Sequence, residues 1–66
     1  MPLVRKMGDG LWEVRIRLEG RTARVLFTVS EDVAFLLHGF IKKSEKTPRE
    51  DLNLAKDRLR KLRSDP

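Results

Sequence analysis

The stretch "LWEVRIRLEGRTARVLFTV", Leu11–Val29, decides the fold. In its first half Trp12, Val14, Ile16 and Leu18 alternate with Glu13, Arg15 and Arg17. In its second half Ala23, Val25, Phe27 and Val29 alternate with Thr22, Arg24, Leu26 and Thr28. A period of two marks strands, not helices. Glu19-Gly20 separates the runs, and a two-residue turn there pairs Leu18 with Arg21. Counting back sets Ile16 against Ala23, Val14 against Val25 and Trp12 against Phe27. The apolar faces then coincide, as a sound register requires.

Upstream, Met1–Lys6 is short and basic, and Gly8-Asp9-Gly10 is a turn signal. Downstream, Ser30-Glu31-Asp32 reads as a second turn. Val33–Lys42 is almost continuously apolar, the pattern of a central strand buried on both faces. A three-residue turn would pair Val29 with Val33, Phe27 with Phe35 and Arg24 with His38. Thr47-Pro48-Arg49-Glu50 has the form of a capped helix start, with Thr47 as N-cap and Pro48 at the first helical position. Leu52, Ala55, Leu59 and Leu62 then recur at helical spacing as one apolar stripe. The expected fold class is α+β: a small antiparallel three-stranded sheet over residues 11–43, then a C-terminal helix over 47–63. Residues 1–10 are expected to form an N-terminal segment and turn, and 1–66 a single partial domain.

Length and charge bound what such a chain does. A domain of about 60 residues buries only about 60% of its unfolded surface. With no cysteine and one histidine in 66 residues, neither a disulfide nor a usual metal cluster is expected. No cofactor or metal is predicted. Fifteen Lys and Arg against ten Asp and Glu give a net charge of +5, which favours a polyanionic partner, nucleic acid first. No apolar run reaches the ~18 residues of a membrane span, and the first residues lack the long apolar core of a signal peptide. A cytoplasmic protein with no membrane partner is expected.

The register sets Arg15 opposite Arg24, and like charges opposed across a strand pair are destabilising. With His38 beside Arg24, one row would read Arg15, Arg24, His38. Lys42 lies further along the same face and Arg17 flanks it. A cationic cluster without a facing carboxylate suits a bound anion. The competing reading is a solvated face whose arginine heads splay apart.

The blocks "GDGLWEVRIR", "ARVLF", "LLHGFIKKSEKTP" and "AKDRL" resemble the RelE/HigB-type bacterial toxins. The closer likeness is to their phage-derived branch of addiction-module killer proteins, over roughly residues 4 to 62. The resemblance implies a truncated RelE-like fold, lacking the family's opening strand and helix pair. It also implies the toxin component of a toxin–antitoxin module, which binds messenger RNA on the ribosome, cleaves it there as a metal-free mRNA interferase, and is silenced by a cognate antitoxin. Carried over by position, Arg15, Arg24, His38 and Lys42 are the candidate catalytic residues. Arg17, Lys43 and Lys46 are the candidate RNA-binding residues. Metal-free RNA cleavage needs a base, an acid and cations for the charged transition state. Arginine forks suit the last role, and His38 is the chain's one imidazole, the side-chain type most used for general acid–base work. Toxins of this group often carry a tyrosine or histidine near the C-terminus, whereas this chain has no tyrosine and ends "RKLRSDP". The alternative is therefore a catalytically inactive truncated toxin that serves as an RNA- or protein-binding module. Without the helix pair, the Trp12, Val14, Ile16, Val25, Phe27, Phe35 and Leu37 face has one helix to cover it. That predicts an exposed apolar patch and a homodimer.

Overall fold

A computed structural model describes residues 3–42 and 47–64. Four strands form one antiparallel sheet in chain order: β1 (Leu3–Gly8), β2 (Leu11–Leu18), β3 (Arg21–Ser30) and β4 (Val33–Lys42). A single helix, α1 (Arg49–Ser64), follows. The expected three-stranded sheet is therefore corrected to four strands. Leu3–Gly8, too short and basic to read as a strand, pairs with β2 from Leu3↔Arg15 to Gly8↔Leu11. Asp9 and Gly10, both at positive φ (55° and 82°), close that hairpin. Two positive φ values match the twist of the strands they join.

The β2–β3 register is as expected: Leu18↔Arg21, Ile16↔Ala23, Arg15↔Arg24, Val14↔Val25 and Trp12↔Phe27. The β3–β4 hairpin is not. Its turn has two residues, Glu31 and Asp32, at φ 50° and 64°, so Ser30 pairs with Val33. A bulge then intervenes between Leu26 and Phe27 of β3, with Phe27 opposite Leu36 and Leu26 opposite His38. Leu37 is the extra residue, and it turns into the core. Arg24 consequently faces Phe40, not His38. Nor is β4 central. It is an edge strand, and Val33–Leu36 are exposed.

Helix α1 packs on the face that carries the polar strand positions. Leu11, Leu26, Leu37, Ala55 and Leu59 form the buried core, with Met7, Phe40 and Leu52 against it. The helical stripe thus lands as its spacing implies, but on the sheet face that also holds Glu13, Arg24 and Thr28. The opposite face, with Val4, Trp12, Val14, Ile16, Val25, Phe27, Leu36 and Ile41, carries no helix among the described residues. Among those residues, no helix is long and apolar enough to cross a membrane.

Candidate nucleic-acid interface

Three cross-strand rows build the polar end of the helix-bearing face. The outermost is Arg17–Thr22–Lys42, the next Arg15–Arg24–Phe40, and the third Glu13–Leu26–His38. Successive residues of a strand alternate faces, so all nine side chains belong to one side of the sheet. Arg17 and Lys42 are exposed, Arg15 is half-buried, and Arg24 is 1% exposed. Lys43 and Lys46 lie outside the described residues.

A carboxylate sits among the opposed arginines. Glu13 is fully buried, and its Oε1 accepts a 2.6 Å hydrogen bond from Arg15 Nε. Its Oε2 accepts a hydrogen bond from the Thr47 hydroxyl, which in turn accepts one from Arg24 Nη1 at 3.1 Å. Burial alone would push the Glu13 carboxyl up. The hydrogen bonds from Thr47 and Arg15, with the charges of Arg15 and Arg24, outweigh it and hold the group below its ordinary value. The like-charge repulsion expected between Arg15 and Arg24 is thus offset from within the chain. Thr47 does not act as the expected N-cap. Its hydroxyl bonds to sheet residues, and the first helical turn closes from the Leu52 amide to the Pro48 carbonyl at 3.0 Å.

His38 is held by the helix. Its Nε2 lies 2.6 Å from Asp51 Oδ1, and its ring stacks on Phe40 at 5.4 Å between centroids. Both His38 and Asp51 side chains are 17% exposed. Two cations of the basic helix also serve the fold: Arg58 Nη1 donates to the Leu37 carbonyl at the bulge, and Arg63 Nη2 to the Asp9 carbonyl, each at 2.6 Å. Of the expected site residues, the sheet brings Arg15 and Arg24 together around Glu13. It places Arg17 and Lys42 at the solvent end, and gives His38 to a separate helix contact.

Glu13, Thr47 and Asp51 are the members that sequence reasoning missed. Glu13 shares the Arg15 face by simple alternation, so its proximity was available. Asp51 precedes Ala55 by four residues, which puts it beside the buried stripe.

The molecule is thus a small α+β protein with a basic sheet end beside a buried ionic cluster. A family model for the phage-derived Gp49-like proteins (DUF891) matches residues 1–60. The chain belongs to that family, which is associated with the toxins of toxin–antitoxin modules and so implies an antitoxin partner. Neither the curated proteins nor the solved structures contain a match to it.

Proposed function

We propose that this chain is a toxin of RelE/HigB type that binds messenger RNA through the Arg17–Thr22–Lys42 end of its helix-bearing face. One observation carries the reading: two exposed cations flank a threonine in a single row, with Arg15 in the row behind. Phosphate oxygens suit such a row, because guanidinium and ammonium donors converge on them while the threonine hydroxyl adds a neutral donor. The partners of this reading are RNA on the ribosome, the antitoxin, and a second copy of the chain as homodimer. Cleavage without a metal would use Arg15 for transition-state charge, His38 for proton transfer and Lys42 at the phosphate.

A second reading is favoured by a specific observation. Arg24 is buried against Thr47, and His38 is bonded to Asp51. Two of the four candidate catalytic side chains thereby hold the helix to the sheet. On this reading the chain binds RNA without cutting it.

Induced expression, with growth and messenger-RNA integrity followed together, separates the two. Growth arrest with cut messages supports the nuclease, and arrest with intact messages supports the binding module. For RNA binding itself, log affinity for a single-stranded oligonucleotide should fall linearly with log salt. The Arg17→Ala/Lys42→Ala variant should reduce that slope by about two units. An unchanged slope would place the RNA elsewhere.

A further inference from the structure

The open face of the sheet shows a self-complementary pattern, and we propose that two copies of the chain pack these faces together around a two-fold axis running along the strands between β2 and β3. This rests on the homodimer placed in the proposed function and specifies its surface. Two observations carry it, the row composition of the face and the position of Gly39.

The rows read Lys6–Trp12–Phe27–Leu36, then Val4–Val14–Val25–Gly39, then Ile16–Ala23–Ile41, from β1 or β2 across to β4. A two-fold axis between β2 and β3 lays each row on its own reverse, as an isologous contact requires. Val4 then faces the partner's Gly39, Ile16 the partner's Ala23, Val14 the partner's Val25, and Trp12 the partner's Phe27. Val4 meets Gly39 at the periphery, while near the axis Ile16 meets Ala23 and aromatic meets aromatic. The cations also separate. Lys6, whose Nζ lies 5.9 Å from the Trp12 ring centroid, comes over the partner's Leu36, and Arg21 over the partner's Leu18. An axis across the strands would instead set Val4 on Val4 and leave a void between the two Gly39 residues. Sheets packed face to face cross at roughly 30°, which shifts the corners but keeps the middle rows in contact.

Among the described residues, no steric contact requires a glycine at position 39. It lies mid-strand, where a glycine weakens pairing. Its φ is not in the left-handed region. A Cβ built there would meet the Arg24 carbonyl oxygen at 3.7 Å and Val25 Cγ2 at 3.8 Å, both ordinary contacts. The chain's own fold has room for a side chain at this position. A facing surface that approaches closely does not, and a glycine inside a strand often marks such an approach.

The face is large enough for a modest dimer. Four strands about 4.8 Å apart and about eight residues long give a footprint of roughly 19 Å by 27 Å. Side-chain relief adds to this, against the about 800 Å² of accessible surface that each partner buries in a standard interface. Leu36 is 75% exposed in the single chain, and no acidic side chain stands on the face among the described strand residues. Each copy carries +5, so screening should strengthen the dimer as salt rises, opposite to the salt dependence of RNA binding.

Sedimentation equilibrium on the full chain, from about 1 to about 500 μM, tests this over the range of weak dimers. We expect a monomer–dimer equilibrium that tightens with salt. Gly39→Ile should raise the dissociation constant at least ~10-fold while leaving the melting temperature of the dilute protein unchanged or higher, since isoleucine suits a strand. Leu36→Lys, at a position too exposed to affect folding, should dissociate the dimer more than Leu36→Glu, because only the lysine meets the partner's Lys6 as a like charge. A wild-type chain monomeric throughout would overturn both the homodimer and this surface. A wild-type dimer that survives Gly39→Ile and Leu36→Lys would overturn the surface alone. RNA binding, read on the same samples, concerns the opposite face and bears only on the basic end.

Discussion

The Thr47 hydroxyl donates a hydrogen bond to the buried Glu13 carboxylate, and through it the segment entering α1 is fastened to β2 across 34 positions of sequence. The same hydroxyl accepts from Arg24 on β3, so one small side chain joins two strands to the helix start.

Thr47→Ala removes both bonds and leaves a buried carboxylate oxygen without its donor. Loss of a helix cap alone would cost about 1 kcal/mol. Stranding a buried charged acceptor raises the expected cost to about 2–3 kcal/mol. Thr47→Ser should recover most of it. Chemical denaturation of the three proteins decides between cap and clamp: an alanine penalty at or below about 1 kcal/mol would mean that the Glu13 contact contributes little.

Glu13 should make the fold acid-sensitive. Its carboxyl is held below its ordinary value of 4.5 in the folded chain, so the folded state binds its proton less readily than the unfolded state does. The stabilisation is therefore fully present above pH 4.5 and is lost as pH falls through the lowered value. Glu13→Gln should be less stable than wild type at neutral pH, and its stability should change less between pH 6 and pH 3. Parallel acid dependences for the two proteins would remove Glu13 as the cause.

Arg24→Ala should destabilise the chain by about 2–3 kcal/mol, because it truncates a buried side chain and removes a partner of Thr47. Relief of the Arg15–Arg24 opposition does not compensate, since Glu13 already lies among these charges. Arg17→Ala and Lys42→Ala, at exposed positions, should each alter stability by no more than about 0.5 kcal/mol. Thermal melts of the three variants give the contrast, and a stabilised Arg24→Ala protein would show the repulsion to dominate.

His38 and Asp51 should be energetically coupled. A double-mutant cycle with His38→Ala and Asp51→Ala is expected to give an interaction of roughly 1 kcal/mol, as for other contacting polar pairs. Additive effects would mean that the 2.6 Å contact carries no net energy and that His38 answers chiefly to its stacking on Phe40.

Gly10→Ala should loosen the far end of the helix. Gly10 has φ 82°, and a Cβ there would run into Arg63 Nη2, displacing the guanidinium from the Asp9 carbonyl. A positive φ imposed on alanine and one lost hydrogen bond together should cost about 2 kcal/mol. Adding Arg63→Ala relieves the collision but not the backbone strain. If the two changes prove additive in denaturant titrations, Arg63 does not rest on this turn.

Much of the sheet was readable along the chain. The β2–β3 hairpin and the Arg15–Arg24 pair follow from alternation and a two-residue turn, because pairing across a tight turn is a local matter. The helical stripe of Ala55 and Leu59 was equally plain. β1 was not, since six residues with two cations show little periodicity, and its strand conformation depends on the edge that β2 offers. β4 misled in two ways. Its unbroken apolar run matches a central strand, although it is an edge strand with one face left open. Its register also turns on a bulge at Leu37, to which Gly39 two residues on is only a loose cue.

Residue order alone therefore determined the strand pairing of the β2–β3 hairpin, the helix and its apolar stripe, and the division of the sheet into an apolar face and a polar one. Only the tertiary structure decided which face the helix would close. Alternation ranks Trp12, Val14 and Phe27 as the interior by hydrophobicity, yet α1 covers Glu13, Arg24 and Thr28 around a core of Leu11, Leu26 and Leu37. The reason is the obligation of buried polar groups to be bonded. Thr47 answers Glu13 and Arg24, Asp51 answers His38, and Arg58 answers the carbonyl of the bulged Leu37. These ties span 13 to 34 residues, too far for periodicity to register, and they place the helix where its polar partners are.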